Sequence, residues 1–190
     1  YIKEWNFPLF VKPNCEGSSL GIGHRNVCHT LNDIKNICYE LISQFGEVII
    51  EEYVSGLDVT NYLIGNKDSY LVNEVISAEL FDTSPYAIYG IEEKQNKLRK
   101  LYFNEEYLPN NIINSIKNES AKIANIIGAA DICRIDYRVN LKTNEINFIE
   151  INSAPRFSST SEIGFIANKY GITFSKMMAY YINTVLRRIF

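Results

Sequence analysis

The hydrophobic positions fall into blocks whose period changes along the chain. Phe7, Leu9, Phe10 and Val11 form a short apolar run that reads as a strand ending at Lys12. A stretch rich in glycine and serine follows, and a second β segment is expected to reach Val27. From Leu31 the spacing becomes helical: Leu31, Ile34, Ile37, Cys38, Leu41, Ile42 and Phe45 recur along one side, between capping residues at Thr30 to Asp33 and a stop at Gly46. Glu47–Tyr53, Asp58–Ile64 and Tyr70–Ile76 return to strand character, separated by turns at Ser55-Gly56 and Gly65 to Asp68. Residues 77–104 keep no period, and Ser84-Pro85, Gly90 and the run EEKQNKLRK predict a long loop. Pro109 starts a second helix with Ile112, Ile113, Ile116, Ile123 and Ile127 on one side and Gly128 as its stop. CRIDYRV and INFIEIN, joined by NLKTNE, predict a hairpin. A short segment around Glu162–Tyr170 precedes a last helix, in which Met177, Met178, Tyr181, Ile182, Val185 and Ile189 form a core-facing stripe. Helices and strands are intermixed with mainly antiparallel connections, so the predicted class is α+β.

Composition narrows the function. The chain has 190 residues, 46% hydrophobic and 22% charged, enough to bury a real core. A net charge of -3 argues against nucleic acid as a partner. No apolar run approaches the ~18 residues that span a bilayer, so no membrane partner is expected. Cys15, Cys28, Cys38 and Cys133 are scattered and form no CxxC pair, which suits reduced thiols and a cytoplasmic location. His24, Cys28 and His29 lack a fourth ligand for a structural zinc, so surface histidines and a buried thiol are the better reading. The sequence opens at Tyr1 with a strand almost immediately, and it is expected to be part of a longer chain.

The hairpin carries the candidate chemistry. Residues two apart on a strand share a face, so Arg134, Asp136 and Arg138 lie together, as do Phe148, Glu150 and Asn152. One register places Asp136 near Glu150 and Asn152 with Arg134 beside them. An ordinary solvated face with cross-strand ion pairs is the bland alternative. Phe148 on the charged face argues that this face is partly covered. Two carboxylates plus an amide carbonyl also match a hard cation that keeps positions open for water and phosphate oxygens, as magnesium does.

KPNCEGSSLGI, EEYVSGLDVT, RIDYRV and FIEINSAP, in that order, resemble the ATP-grasp enzymes, and most closely the D-alanine–D-alanine ligase group. The resemblance runs from about Phe7 to Ile182, leaving 77–104 unaligned. It implies two lobes with antiparallel sheets sandwiching the nucleotide, a small lobe over 1–55 and a large lobe over 56–190. It also implies ATP and Mg2+ (with Mn2+ as a substitute) as cofactors. Lys12 would contact phosphate near the adenine. Glu16, Gly17, Ser18 and Ser19 would form the loop over the phosphates. Glu51, Glu52, Tyr53 and Val54 would read adenine, and Asp58 the ribose hydroxyls. Asp136, Glu150 and Asn152 would hold the metal, Arg134 would stabilise the transferring phosphoryl group, and Ser161 would lie near the carboxylate of the second substrate. The implied reaction converts a carboxylate to an acyl-phosphate, which an amine attacks to give an amide. Small carboxylate and amine substrates, an amino acid or peptide among them, would be the partners, and a homodimer is compatible with the group.

Three departures shape the expectation. The group carries an upstream domain and a further upstream lysine outside this sequence, so these residues are expected to bind nucleotide but to need the upstream part for turnover. Where the group has Asn-x-x-Pro-Gly, this chain reads NSAPRF. Arg156 there could bind a substrate carboxylate or phosphate, or block the dipeptide site. PRF also resembles carbamoyl-phosphate-synthase-like ligases, which is one alternative; a nucleotide-binding module without catalysis is another. The lid sequence of the group is missing, and Lys94, Lys97, Arg99 and Lys100 compete for the role of its lysine, with a solvated loop as the plain alternative. Glu150 is expected to matter to metal-dependent ATP binding far more than Glu162.

Overall fold

The computed structural model describes residues 4–67, 69–80, 86–88, 90, 99–103 and 107–190. The chain divides into two compact units, Tyr1–Ser55 with Leu80–Lys100, and Gly56–Glu79 with Leu101–Phe190.

In the first unit, β1 (Leu9–Pro13) is the centre of a three-stranded sheet, with β2 (Val27–Cys28) and β3 (Val48–Glu52) antiparallel on its two sides. Helix α1 (Leu31–Phe45) begins at Thr30, whose Oγ1 accepts the Asp33 N–H at 3.2 Å while the Asp33 carboxylate accepts the Thr30 N–H at 2.9 Å. Ile34, Ile37 and Leu41 of that helix pack on Leu9, Val11 and Cys28 with Cys38 and Phe45 beside them, whereas Leu31 and Ile42 of the expected stripe are exposed. The expected second strand is only two residues long. Most of the segment before it is a loop closed by a 3-10 turn over His24–Asn26.

The second unit is built on a five-stranded sheet in the order β6 (Arg99–Phe103), β5 (Ser69–Leu80), β4 (Leu57–Asn66), β7 (Ile132–Asn140) and β8 (Glu145–Asn152). One face meets α2 (Asn110–Ile127), where Ile112, Ile113 and Ile116 pack on Val59, Leu63, Ile135 and Tyr137. The other meets α3 (Glu162–Lys169) and α4 (Phe174–Ile189), where Ile163, Ile166 and Met177 pack on Tyr62, Ile64 and Ile76. Each fully buried Ile or Leu here contributes about 1.5–3 kcal/mol.

Three expectations need correction. Residues 77–80 and 99–103 are strand, not loop, because pairing between β5 and β6 supplies hydrogen bonds that local composition does not advertise. On α4 the buried residues are Met177 and Thr184, whereas Ile182 and Ile189 of the predicted stripe are exposed. Phe148 does not share the charged face. The β7–β8 pairing shifts register between Asp136↔Glu150 and Tyr137↔Phe148, so Ile149 is an extra residue that breaks the alternation. Phe148 therefore lies across from Tyr137, edge-on at 6.1 Å between ring centroids.

Candidate functional site

The charged face is assembled from three strands. Antiparallel pairing sets Asp58 opposite Arg138, Thr60 opposite Asp136 and Tyr62 opposite Arg134. Strand β8 adds Glu150 opposite Asp136 and Asn152 opposite Arg134, the register anticipated from the hairpin. Arg134 grips Asp136 through two nitrogens, Nε to Oδ1 at 2.9 Å and Nη2 to Oδ2 at 2.7 Å. Thr60 Oγ1 donates to Asp136 Oδ1 at 2.9 Å. The Asn152 amide nitrogen bridges the carboxylates, donating to Asp136 Oδ2 at 3.3 Å and Glu150 Oε1 at 3.0 Å.

Burial pushes the Asp136 carboxyl above the ordinary range, against the pull of Arg134 and of hydrogen bonds from Arg134 and Thr60, and with a further push from Glu150. The Arg134 guanidinium sits 3.9 Å from Glu150 and also feels the buried Glu162. Two carboxylates, Asp136 and Glu150, thus share the neighbouring Arg134 guanidinium, and magnesium is the matching hard cation for such oxygen donors. The donor set fits that ion. The bridging Asn152 amide already places a positive dipole end between the two carboxylates, and turning that amide over would present its oxygen to a cation. Among the described residues no group of three or more His, Cys, Asp or Glu gathers as a metal site. His29 instead packs edge-on against Tyr86 at 4.9 Å, and the Cys28 thiol donates to Asn26 O at 3.6 Å.

The glycine-serine segment is pinned from beneath. Asn26, fully buried, donates through Nδ2 to Val11 O at 2.7 Å and Gly21 O at 2.8 Å, and accepts the Gly23 N–H at 2.9 Å. Gly21 takes φ +71 with no room for a side chain, since an added Cβ would lie 2.8 Å from Phe45. Ser18 and Ser19 both have positive φ, 57° and 60°, at a cost of about 1–2 kcal/mol each for a residue with a Cβ. Glu16, Gly17 and Ser18 are exposed at this turn. Strain of this kind persists where the surroundings over-determine it, and it gathers at ligand clamps.

Lys12 forms an ion pair with Glu51 at 2.8 Å. Glu52 Oε1 accepts the Asn6 N–H at 3.3 Å, Tyr53 packs edge-on on Tyr86 at 5.5 Å, and Val54 is half-buried. Arg138 holds Asp58 at 2.8 Å and also donates to Gly56 O at 2.9 Å. After β8 the chain turns through Pro155 to Ser161. The Ser161 hydroxyl is buried and bonded to Arg156 O at 3.0 Å and Ser158 O at 2.8 Å. Tyr62 OH reaches Arg156 O from the sheet at 3.4 Å. The Arg156 side chain is exposed and forms no ion pair among the described residues. Of the candidate lid cations, Lys94, Lys97 and the Arg99 side chain lie outside the described residues, and Lys100 is exposed.

Sequence reasoning missed Thr60, Tyr62, Glu162 and Asn26. The first two were legible as the alternate positions of DVTNY, had β4 been set beside β7. Glu162 is no neutral reference for Glu150: it is 5% exposed and close enough to Arg134 and Tyr62 to shift both.

Residues 1–183 match the family model described as "D-ala D-ala ligase C-terminus". The chain is 28% identical over 181 residues to the D-alanine–D-alanine ligase of Aquifex aeolicus, covering 93% of this chain and 56% of that protein. It is 30% identical over 178 residues to that of Bartonella bacilliformis, covering 92% and 55%. Among solved structures, the VanG D-Ala:D-Ser ligase of Enterococcus faecalis aligns with a TM-score of 0.76 at 24% identity, over 96% of this chain and 51% of that one. The ATP-complexed D-alanine–D-alanine ligase of Bacillus anthracis aligns at 0.73 and 21%, over 95% and 53%. These structural likenesses carry the fold. The chain spans about half the length of the relatives it matches.

Proposed function

The chain belongs to the D-ala D-ala ligase C-terminus family, with an ATP-grasp fold, and on that premise we propose that it is the nucleotide- and metal-binding part of an ATP-dependent carboxylate–amine ligase. The observation that carries this reading is the pairing of Asp136 with Glu150, with Asn152 and Arg134 on the same face. Asp136, Glu150 and Asn152 would hold Mg2+, which when bound supplies charge neutralisation at the phosphates. Arg134 offers the phosphoryl group a guanidinium already oriented by Asp136, so little reorganisation is needed as charge develops. The strained Ser18-Ser19 turn, followed by a segment that Asn26 holds at Gly21 and Gly23, would present backbone N–H groups to phosphate, and Lys12, paired with Glu51, lies in the same unit. Glu51 to Val54 would read the adenine, and Asp58, held by Arg138, would take the ribose hydroxyls. The lobes of this reading are 1–55 and 56–190.

The first substrate's carboxylate attacks the terminal phosphorus of ATP, releasing ADP and leaving an acyl-phosphate. The amine then displaces phosphate to form the amide. Holding the partners in line is the protein's main contribution. Arg156, exposed and without an ion pair among the described residues, supports an acceptor that carries a carboxylate or phosphate of its own. Ser161 closes the loop that presents it. The test is phosphate release by the full-length protein with Mg-ATP and panels of amino acids, dipeptides and small carboxylates. Release that needs both a carboxylate and an amine is expected. Release that needs neither, or none with any pair despite Mg-ATP binding, overturns the ligase reading.

A further inference from the structure

Arg138 joins two points of the strand beside it. Its Nη1 donates to Asp58 Oδ1 at 2.8 Å and its Nη2 to Gly56 O at 2.9 Å, so one guanidinium spans a side chain and a carbonyl two residues apart. Asp58 is the second residue of β4 and stands opposite Arg138, with Leu57 and Val139 as the end pair of that ladder. Strand ends fray, and a side chain one residue in moves with them. Here the end is held down twice. Arg138 bonds the Gly56 carbonyl, and Gly56, at φ +152, approaches β7 so closely that an added Cβ would lie 2.3 Å from Val139 O. Val59, Tyr137 and Val139 are buried in the core on the other face, which commits Asp58 and Arg138 to the face that carries Asp136 and Glu150. The Asp58–Arg138 pair lies two residues, about 7 Å, along the strands from the Thr60–Asp136 pair. A short phosphate chain covers that span between a sugar and a metal on the outer phosphates.

The Asp58 side chain is 28% exposed and that of Arg138 14%, so the carboxylate can be reached while the guanidinium behind it is shielded. The planar fork of an arginine fixes both of its partners in one geometry. A carboxylate offers about four acceptor positions, enough for Arg138 and two sugar hydroxyls together. Arg138 also offsets a negative charge that would otherwise face a polyanionic ligand. We propose that Arg138 is a positioning residue that sets the sugar selectivity of the nucleotide site: by fixing Asp58 relative to Gly56, it makes the site prefer a ribonucleotide to a deoxynucleotide. The role rests on Asp58 being the ribose contact.

The test uses the full-length protein and calorimetry with Mg-ATP and with the Mg complex of 2′,3′-dideoxy-ATP, which lacks both ribose hydroxyls. The parent is expected to bind ATP about tenfold to a hundredfold more tightly, as hydrogen bonds to a charged group give. Arg138→Met keeps an unbranched stem but no donor, and should cut that preference to below about threefold. Arg138→Lys keeps the charge without the planar fork and should give an intermediate ratio. Asp58→Ala should bring the ratio to about one, because the acceptor itself is gone. A merely structural loss weakens both nucleotides equally, so an unchanged ratio in Arg138→Met overturns the proposal when Asp58→Ala still abolishes the preference. If the parent shows no preference, or Asp58→Ala keeps it, the ribose reading of Asp58 fails and the role of Arg138 with it. Should Arg138→Met not fold, Arg138→Lys decides, and a ratio equal to that of the parent overturns the proposal.

Discussion

Glu150→Gln separates stability from ligand binding at the hairpin. Glu150 is half exposed, accepts from Asn152 at 3.0 Å, lies 3.9 Å from Arg134 and stands across from Asp136. Glutamine keeps an oxygen for Asn152. It loses the long contact to Arg134 and also the repulsion from Asp136, and at this exposure the two nearly cancel. The unliganded protein should change by no more than about 0.5 kcal/mol, or roughly 2 °C in melting temperature. Mg-ATP at a hundred times its dissociation constant stabilises the parent by about 2.7 kcal/mol, roughly 5–11 °C for a chain this size. If loss of a carboxylate ligand weakens Mg-ATP about a hundredfold, the same concentration gives only about 0.4 kcal/mol, a shift of roughly 1–2 °C. Differential scanning fluorimetry with and without Mg-ATP reads both quantities at once. Glu145→Gln is the reference, an exposed acid on the same strand paired with Asn140. A Mg-ATP shift in Glu150→Gln equal to that of the parent, or an equal loss in Glu145→Gln, refutes the metal assignment.

The Asp131 carboxyl is lowered from its ordinary value by hydrogen bonds from Arg188, 2.7 Å at the shortest, and from Asn66 at 2.9 Å. Its depressed folded-state value means that this stabilisation is complete above the unfolded pKa of about 4 and is lost as pH falls through the folded value. Arg188→Gln should therefore lower the melting temperature at pH 7, with the gap to the parent narrowing as pH falls below about 4; a gap that does not narrow there argues against the ion pair as its source. Gly164→Ala would place a Cβ 2.1 Å from Ser159 O, so it should displace the 156–161 loop and cut ligase turnover by more than about tenfold while Mg-ATP affinity changes little; unchanged turnover counts against that loop. Burial raises the thiols of Cys28 and Cys133 to about 11, whereas Cys15 is exposed on the glycine-serine loop. A thiol reagent should label Cys15 in the native protein and the other two only after unfolding, and Mg-ATP should slow Cys15; labelling indifferent to Mg-ATP would argue against a phosphate cover.

Local sequence carried a large part of this. The spans of α1 and α2 and the centres of their buried faces, with Thr30 and Gly46 at the ends of the first, follow from period and capping alone, because those signals act within a few residues; Leu31, Ile42 and Ile127 at the stripe edges are exposed. Alternation in RID and EIN placed Arg134, Asp136, Glu150 and Asn152 together, since a hairpin with a short turn allows few registers. What lay outside local pattern depended on pairing across distance. The extra residue at Ile149 is invisible in INFIEIN, and it decides that Phe148 turns to Tyr137 and not to Asp136 and Glu150. Strand β6 forms because β5 offers it an edge. Thr60, Tyr62 and Glu162 belong to the site only because β4 lies beside β7 and α3 folds back over the sheet. By itself, then, the sequence determined the elements, the ligand types and the hairpin that brings them together. The tertiary structure alone decided which neighbours surround Arg134, because a buried charge is oriented by groups far apart along the chain.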